Sequence, residues 1–230
     1  MPSILGFILR MKHESEPSQT QTRKFAWVLD EKKYIKLSEV GKLRSECKRA
    51  REAALRKKKQ PPIRNWFMIE LGLNTGLRVE EMNELQCEDL YINEEEGSIY
   101  VKRGKGGRPR TVFINEKFKA ICRWFLSWKA KQMQPTDSNS YIFTDEVGKK
   151  LSKRTLQKAF KRCITLAGLP LHYSIHCLRH TYATHLLKAS GYNIRLVQEQ
   201  LGHASVRTTE VYTSLIANDV KEALSKLYVK

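Results

Sequence analysis

The chain has no apolar run long enough to cross a bilayer: the longest near its start, Ile4 to Leu9, has no basic segment before it, and a spanning helix needs about 20 apolar residues. No membrane span or secretory signal is therefore expected. Cysteine is sparse. Cys47, Cys87, Cys122, Cys163 and Cys177 are odd in number, scattered, and form no Cys-x-x-Cys pair, which argues against a disulfide scaffold and for reduced thiols in the cytoplasm. A phosphate-binding loop of the Walker type is also missing. His176 and His180 stand four apart, but a metalloprotease motif needs Glu at the next position, where this chain has Cys177, so no metal site is expected.

Acidic residues are scarce too. The 230 residues carry 24 Asp and Glu against 42 Lys and Arg, a formal net charge of +18. Such a chain suits a polyanionic partner, because neutralising phosphates releases condensed counterions, and its binding should weaken steeply with salt.

Residues 1–32 mix a short apolar patch with a polar stretch lacking periodicity, and read as a tail or linker. From there a single domain, residues 33–230, is expected. Leu37, Val40, Leu43, Cys47 and Ala50 fall at helical spacing with Ser38 placed to cap, and this helix runs into Arg56-Lys57-Lys58-Lys59 before Pro61-Pro62. Ile63 to Asn74 is apolar on most sides, as a central buried helix requires, and Thr75-Gly76 ends it just before Arg78. Alternation around Ile99 and Val101 and again around Val112 and Ile114, with Gly104-Lys105-Gly106-Gly107 between, predicts a hairpin with a glycine-rich tip. Helical spacing returns at Phe118 to Phe125 and Leu156 to Ala167, and a last helix is expected near Val220, Ala223, Leu224 and Leu227. The expected class is α+β, mainly helical, with a small antiparallel sheet at one edge.

Arg78, Lys105, His176, Arg179 and His203 precede Tyr212 in the chain. A phosphodiester under attack builds negative charge on its non-bridging oxygens, so guanidiniums and imidazoles converging on one tyrosine suggest phosphoryl transfer to that tyrosine. Taken one at a time, these residues are ordinary: a Tyr near a chain end usually packs, and a Gly-Lys-Gly tip is usually a turn.

Their order and spacing resemble something more specific. Thr75-Gly-Leu-Arg-Val-Glu-Glu81, Gly104-Lys-Gly-Gly-Arg-Pro-Arg110, His176-Cys-Leu-Arg-His180 and Leu201-Gly-His through Tyr212 together resemble the catalytic domain of the tyrosine recombinases, the family of phage integrases, Cre and the Xer proteins. The resemblance covers roughly residues 33 to 230. It implies that Tyr212 is the nucleophile, forming a 3′-phosphotyrosyl link and freeing a 5′-hydroxyl, with no ATP, metal or other cofactor needed because the bond energy is kept in that link. It implies that Arg78 and Arg179 clamp the phosphate, that His176 and His203 assist it, that Lys105 protonates the departing oxygen, and that Glu81 orients Arg78. Cys177 departs from the acidic residue often found at its position.

Double-stranded DNA is thus the expected partner, with a homo-oligomer on it that is tetrameric in the synapse. Expected DNA contacts are Arg103, Arg108 and Arg110 at the hairpin, and Lys150, Lys153, Arg154, Thr155 and Lys158 on the basic face of a helix whose other side is apolar. His180 and His185 are expected to be hydrogen-bonded inside the fold. Family members usually carry a further helical domain ahead of the catalytic one, and the leader here is too short for it. Either a compact recombinase or a catalytic fragment fits, and Met1 favours an intact product. Two other activities fit the same residues: a DNA-binding regulator that keeps the fold, and strand relaxation of the type IB topoisomerase kind.

Overall fold

The structure, a computed structural model, describes residues 33–102 and 108–202. The leader, Arg103, the hairpin tip with Lys105, and His203, Tyr212 and the expected last helix lie outside the described residues.

Helix α1 (Leu37–Arg56) buries Val40, Leu43, Cys47 and Ala54. Ser38 does not cap it. The N-cap is Lys36, two residues earlier, whose backbone N–H donates to the Glu39 carboxylate at 3.0 Å. Pro61 and Pro62 likewise open α2 (Gln60–Thr75) instead of preceding it, because the first turn needs no proline N–H and favours its fixed φ. Helix α2 is the central one, packed against α1 and the later helices α4 (Glu116–Lys131), α5 (Lys153–Leu166) and α6 (His176–Ala189). Its Phe67 stacks on Phe125 with ring centroids 3.9 Å apart, flanked by Phe118 and Phe143. Fully burying side chains of this kind contributes about 1.5–3 kcal/mol each.

The short helix α3 (Val79–Glu84) leads through a 3-10 turn into a three-stranded antiparallel sheet of β1 (Leu90–Tyr91), β2 (Ser98–Val101) and β3 (Arg110–Phe113), in that order. Strand β2 pairs with β3 in the register Ile99 to Val112 and Val101 to Arg110. Alternation turns Ile99, Val101 and Val112 inward, leaving Thr111 and Phe113 exposed. A second small apolar cluster of Ala183, Leu187, Val197 and Leu201 fastens α7 (Ile194–Leu201) to α6. The interior also holds a lysine: Lys129, fully buried on α4, donates to the carbonyls of Tyr141 and Ile142 and to Thr144 Oγ1. These bonds pin the segment between α4 and α5, as a buried ammonium requires. No helix among the described residues is long and apolar enough to cross a membrane.

Candidate active site

The site begins where α2 stops. Gly76 takes the left-handed conformation, φ 61°, and a Cβ there would lie 2.5 Å from Tyr182 Cδ1 and 2.8 Å from Leu201 Cδ2. Glycine alone serves both demands. The chain then turns sharply, buries Leu77, and places Arg78 at the N-cap of α3. The Arg78 backbone N–H donates to Glu81 Oε2 and its Nη1 donates to Oε1, each at 2.8 Å.

Arg179 reaches the same place from α6. It is buried, and its two terminal nitrogens donate to the carbonyls of Gly76 and Leu201 at 2.8 Å each. These are carbonyls at the C-terminal ends of α2 and α7, groups that need outside donors. Its Nη1 also lies 4.0 Å from Glu81 Oε2. Residues from two separate stretches therefore meet on one carboxylate.

The third guanidinium is Arg110. Expected on the DNA-facing surface, it instead points inward from β3, its side chain only 9% exposed. It donates from both terminal nitrogens to the two Glu81 oxygens at 2.7 and 2.9 Å, and from Nε to the Gln200 carbonyl at 3.3 Å. The reason is strand parity: Arg110 shares its face with the buried Val112. That two-residue alternation was the available signal, and counting basic residues at the hairpin passed over it.

Burial alone would raise the Glu81 pKa, but the hydrogen bonds and charge of Arg110, then those of Arg78, outweigh it and hold the carboxyl down at about 2. Around this anion stand three guanidiniums, leaving a formal surplus of two positive charges. A phosphodiester passing to a pentacoordinate transition state gains negative charge, and preorganised cations of this kind stabilise it without reorganising. Nearby Tyr182 is half-buried with its hydroxyl 3.4 Å from Gln200 Oε1, and burial pushes its phenol up to about 12, against the pull of Arg110 and Arg179.

His176, one turn before Arg179, is exposed. It lines a cleft of about 580 Å³ together with Arg154, Lys158 and Arg162 of α5. Those three have no ion-pair partner among the described residues, whereas their neighbours are partly committed. Lys161 donates to the carbonyls of Leu171 and Tyr173 at 2.5 and 2.6 Å. Lys150 sits 2.6 Å from Glu84 and over the Tyr141 ring, and Lys153 is 3.6 Å from Glu80. The Thr155 hydroxyl meets that of Ser152, the N-cap of α5, at 3.0 Å. Arg108 is exposed.

His180 departs from expectation. Its Nδ1 is buried without a hydrogen-bond partner among the described residues. Burial, and then the charge of Arg179 beside it, pushes its pKa down to about 4. It stays neutral at pH 7, so it adds no further positive charge to an interior already rich in it.

The architecture is that of tyrosine recombinase catalytic domains: the structure matches the crystal structure of XerA recombinase with a TM-score of 0.67 and 26% identity, over 86% of this chain and 65% of that one. It matches XerH site-specific recombinase, bound to a palindromic difH substrate in a post-cleavage complex, equally well, at 0.67 and 26% over 86% of this chain and 53% of that one. The chain belongs to the phage integrase family, whose sequence model matches residues 33–218. Tyrosine recombinase XerA of Pyrococcus furiosus is 38% identical over 71% of this chain and 54% of its own length. Tyrosine recombinase XerC of Proteus mirabilis is 40% identical over 66% of this chain and 48% of its own length. The chain thus spans about half the length of the curated relatives it matches.

Proposed function

We propose that this chain is a site-specific DNA recombinase whose catalytic domain occupies residues 33–230. The observation that carries the reading is the convergence of Arg78 and Arg179, from different helices, on the buried Glu81 carboxylate, beside a cleft that joins His176 to the open cations of α5. In this reading the Tyr212 phenol passes its proton to His176 and attacks the scissile phosphorus, the bond to the 5′-oxygen breaks, and Lys105 supplies the proton to that oxygen. Arg78 and Arg179 hold the non-bridging oxygens, with His203 donating beside them. A 5′-hydroxyl from another strand then reverses the step and releases the tyrosine.

Double-stranded DNA lies along α5, with Arg154 and Lys158 as its contacts, joined by Arg103 and Arg108 at the hairpin and, after release from their carboxylates, by Lys150 and Lys153. Thr155 sits at the start of the same helix. The protein works as a homo-oligomer on DNA, a tetramer in the synapse. XerH bound to its difH substrate supports the first point, and a lambda integrase tetramer bound to a Holliday junction, alike in fold to this chain, is the precedent for the second.

A duplex nicked beside the cleavage position tests the proposal by trapping the covalent intermediate. The wild-type chain should form a DNA adduct that Tyr212→Phe cannot form while still binding. Adduct formation by Tyr212→Phe would overturn the assignment. Replacing the bridging 5′-oxygen by sulfur, a leaving group that needs no proton, should rescue Lys105→Ala, and an equal defect on that substrate would remove the general-acid role.

A further inference from the structure

We propose that Arg110 is a positioning residue of the strand-transfer site: it holds the Glu81 carboxylate in the orientation that presents Arg78, and it ties strand β3 to the end of α7. The inference rests on the function proposed above.

Three features support it. The Arg110 fork takes both Glu81 oxygens, at 2.7 and 2.9 Å, a planar two-point contact that fixes the carboxylate against rotation. Glu81 in turn accepts from the Arg78 backbone and side chain, so a turn of the carboxylate moves Arg78. On its far side Arg110 donates from Nε to the Gln200 carbonyl, and a Cβ on Gly202 would lie 2.5 Å from Arg110 Cδ. Gly202, at φ 64°, ends α7. The strand that leaves the hairpin and the helix that precedes residue 203 are therefore held by one side chain. Its side chain is 9% exposed and its hydrogen bonds run to Glu81 and the Gln200 carbonyl, so its effect runs through these partners.

The charged groups that face Glu81 are Arg78 from α3, Arg110 from β3 and Arg179 from α6. Removing Arg110 takes away the strongest partner of the carboxylate and raises its pKa. As pH falls through the new value, Glu81 becomes protonated and loses its hold on Arg78. A role confined to packing predicts no such pH dependence.

The test uses the nicked duplex, with covalent adduct rate and DNA affinity each measured from pH 3 to 8 for the wild type, Arg110→Gln and Arg110→Lys. Arg110→Gln should cleave about 10- to 100-fold more slowly at pH 7, the range seen when a supporting contact behind a site is lost, with little change in affinity. Its acid limb should move up by about 1 to 3 pH units relative to wild type, and adding Glu81→Gln should erase that difference. Arg110→Lys, which keeps the charge and loses the fork, should recover part of the rate. If Arg110→Gln fails to fold, Arg110→Lys is judged alone, by a slower rate at unchanged affinity. Wild-type rates, or a loss of rate matched by loss of affinity with the acid limb unmoved, would overturn the inference. A wild-type chain that forms no adduct would sink the strand-transfer reading itself, and with it the site that Arg110 serves.

Discussion

Beneath the candidate site, Arg78, Arg110 and Arg179 surround Glu81, whose side chain is 3% exposed. One helix away, on the open face of α5, Arg154, Lys158 and Arg162 line a cleft and have no ion-pair partner among the described residues. Both regions are rich in the same residue types, yet the first is neutralised in part, desolvated and geometrically fixed, and the second is hydrated and unconstrained. A buried cation must be satisfied to exist at all, whereas an exposed one is held only loosely and remains available to a polyanion. Positive charge in this chain thus divides into a fixed pocket and a loose track. The difference lies in burial and partners, not in sequence composition.

The largest effect should come from removing the carboxylate that the pocket is built on. Glu81→Leu leaves buried guanidiniums uncompensated and should cost about 3–5 kcal/mol of unfolding free energy in urea. A loss below about 1 kcal/mol would mean that the pocket is as loose as the track.

Acid should then separate the pocket from the rest. The folded pKa of His180, about 4, lies below its ordinary 6.5. The unfolded chain therefore takes up the proton first, and stability that is fully present above 6.5 is lost as pH falls toward 4, by up to roughly 3 kcal/mol. Glu81, depressed to about 2 from 4.5, adds a second loss in the lower window from 4.5 to 2. Melting temperature against pH should fall in both windows, and His180→Asn should flatten the first. An unchanged upper window in that variant would show that the buried imidazole carries none of it.

A smaller loss, about 1–3 kcal/mol, is expected for Gly76→Ala. It combines a left-handed backbone, about 1–2 kcal/mol for an L side chain, with the close contacts to Tyr182 and Leu201, and would be read from the same urea titration. A neutral result would show that the turn carrying Arg78 is not tight.

The track should behave in the opposite way. Replacing Arg154, Lys158 and Arg162 singly by Ala should change stability by no more than about 0.5 kcal/mol. Each loss of a phosphate contact should reduce the slope of log affinity against log salt by about 0.9. Stability losses on the scale of the pocket, or an unaltered salt slope, would break the distinction between the two regions.

How much of this was legible before the fold follows the same division. The central helix from Ile63 to Asn74 was plain because apolar residues on most of its sides can only be buried, and the hairpin strands followed from alternation. Arg78, Glu81, His176 and Arg179 were legible as a constellation by order and spacing. The pairing of Glu81 with Arg78 was expected from the resemblance, but the arrival of Arg110 and Arg179 at the same carboxylate was not, since they come from stretches far apart in the chain. Local propensity misjudged Ser38 and Pro61-Pro62, where a helix boundary shifted by two or three residues. The sequence by itself determined the periodic elements, the excess of positive charge and the residue types available for phosphate chemistry, because each depends on neighbours a few residues away. Only the tertiary structure decided that Arg110 and Arg179 turn inward while Arg154 and Lys158 stay in water, because desolvation and pairing depend on what long-range packing brings alongside.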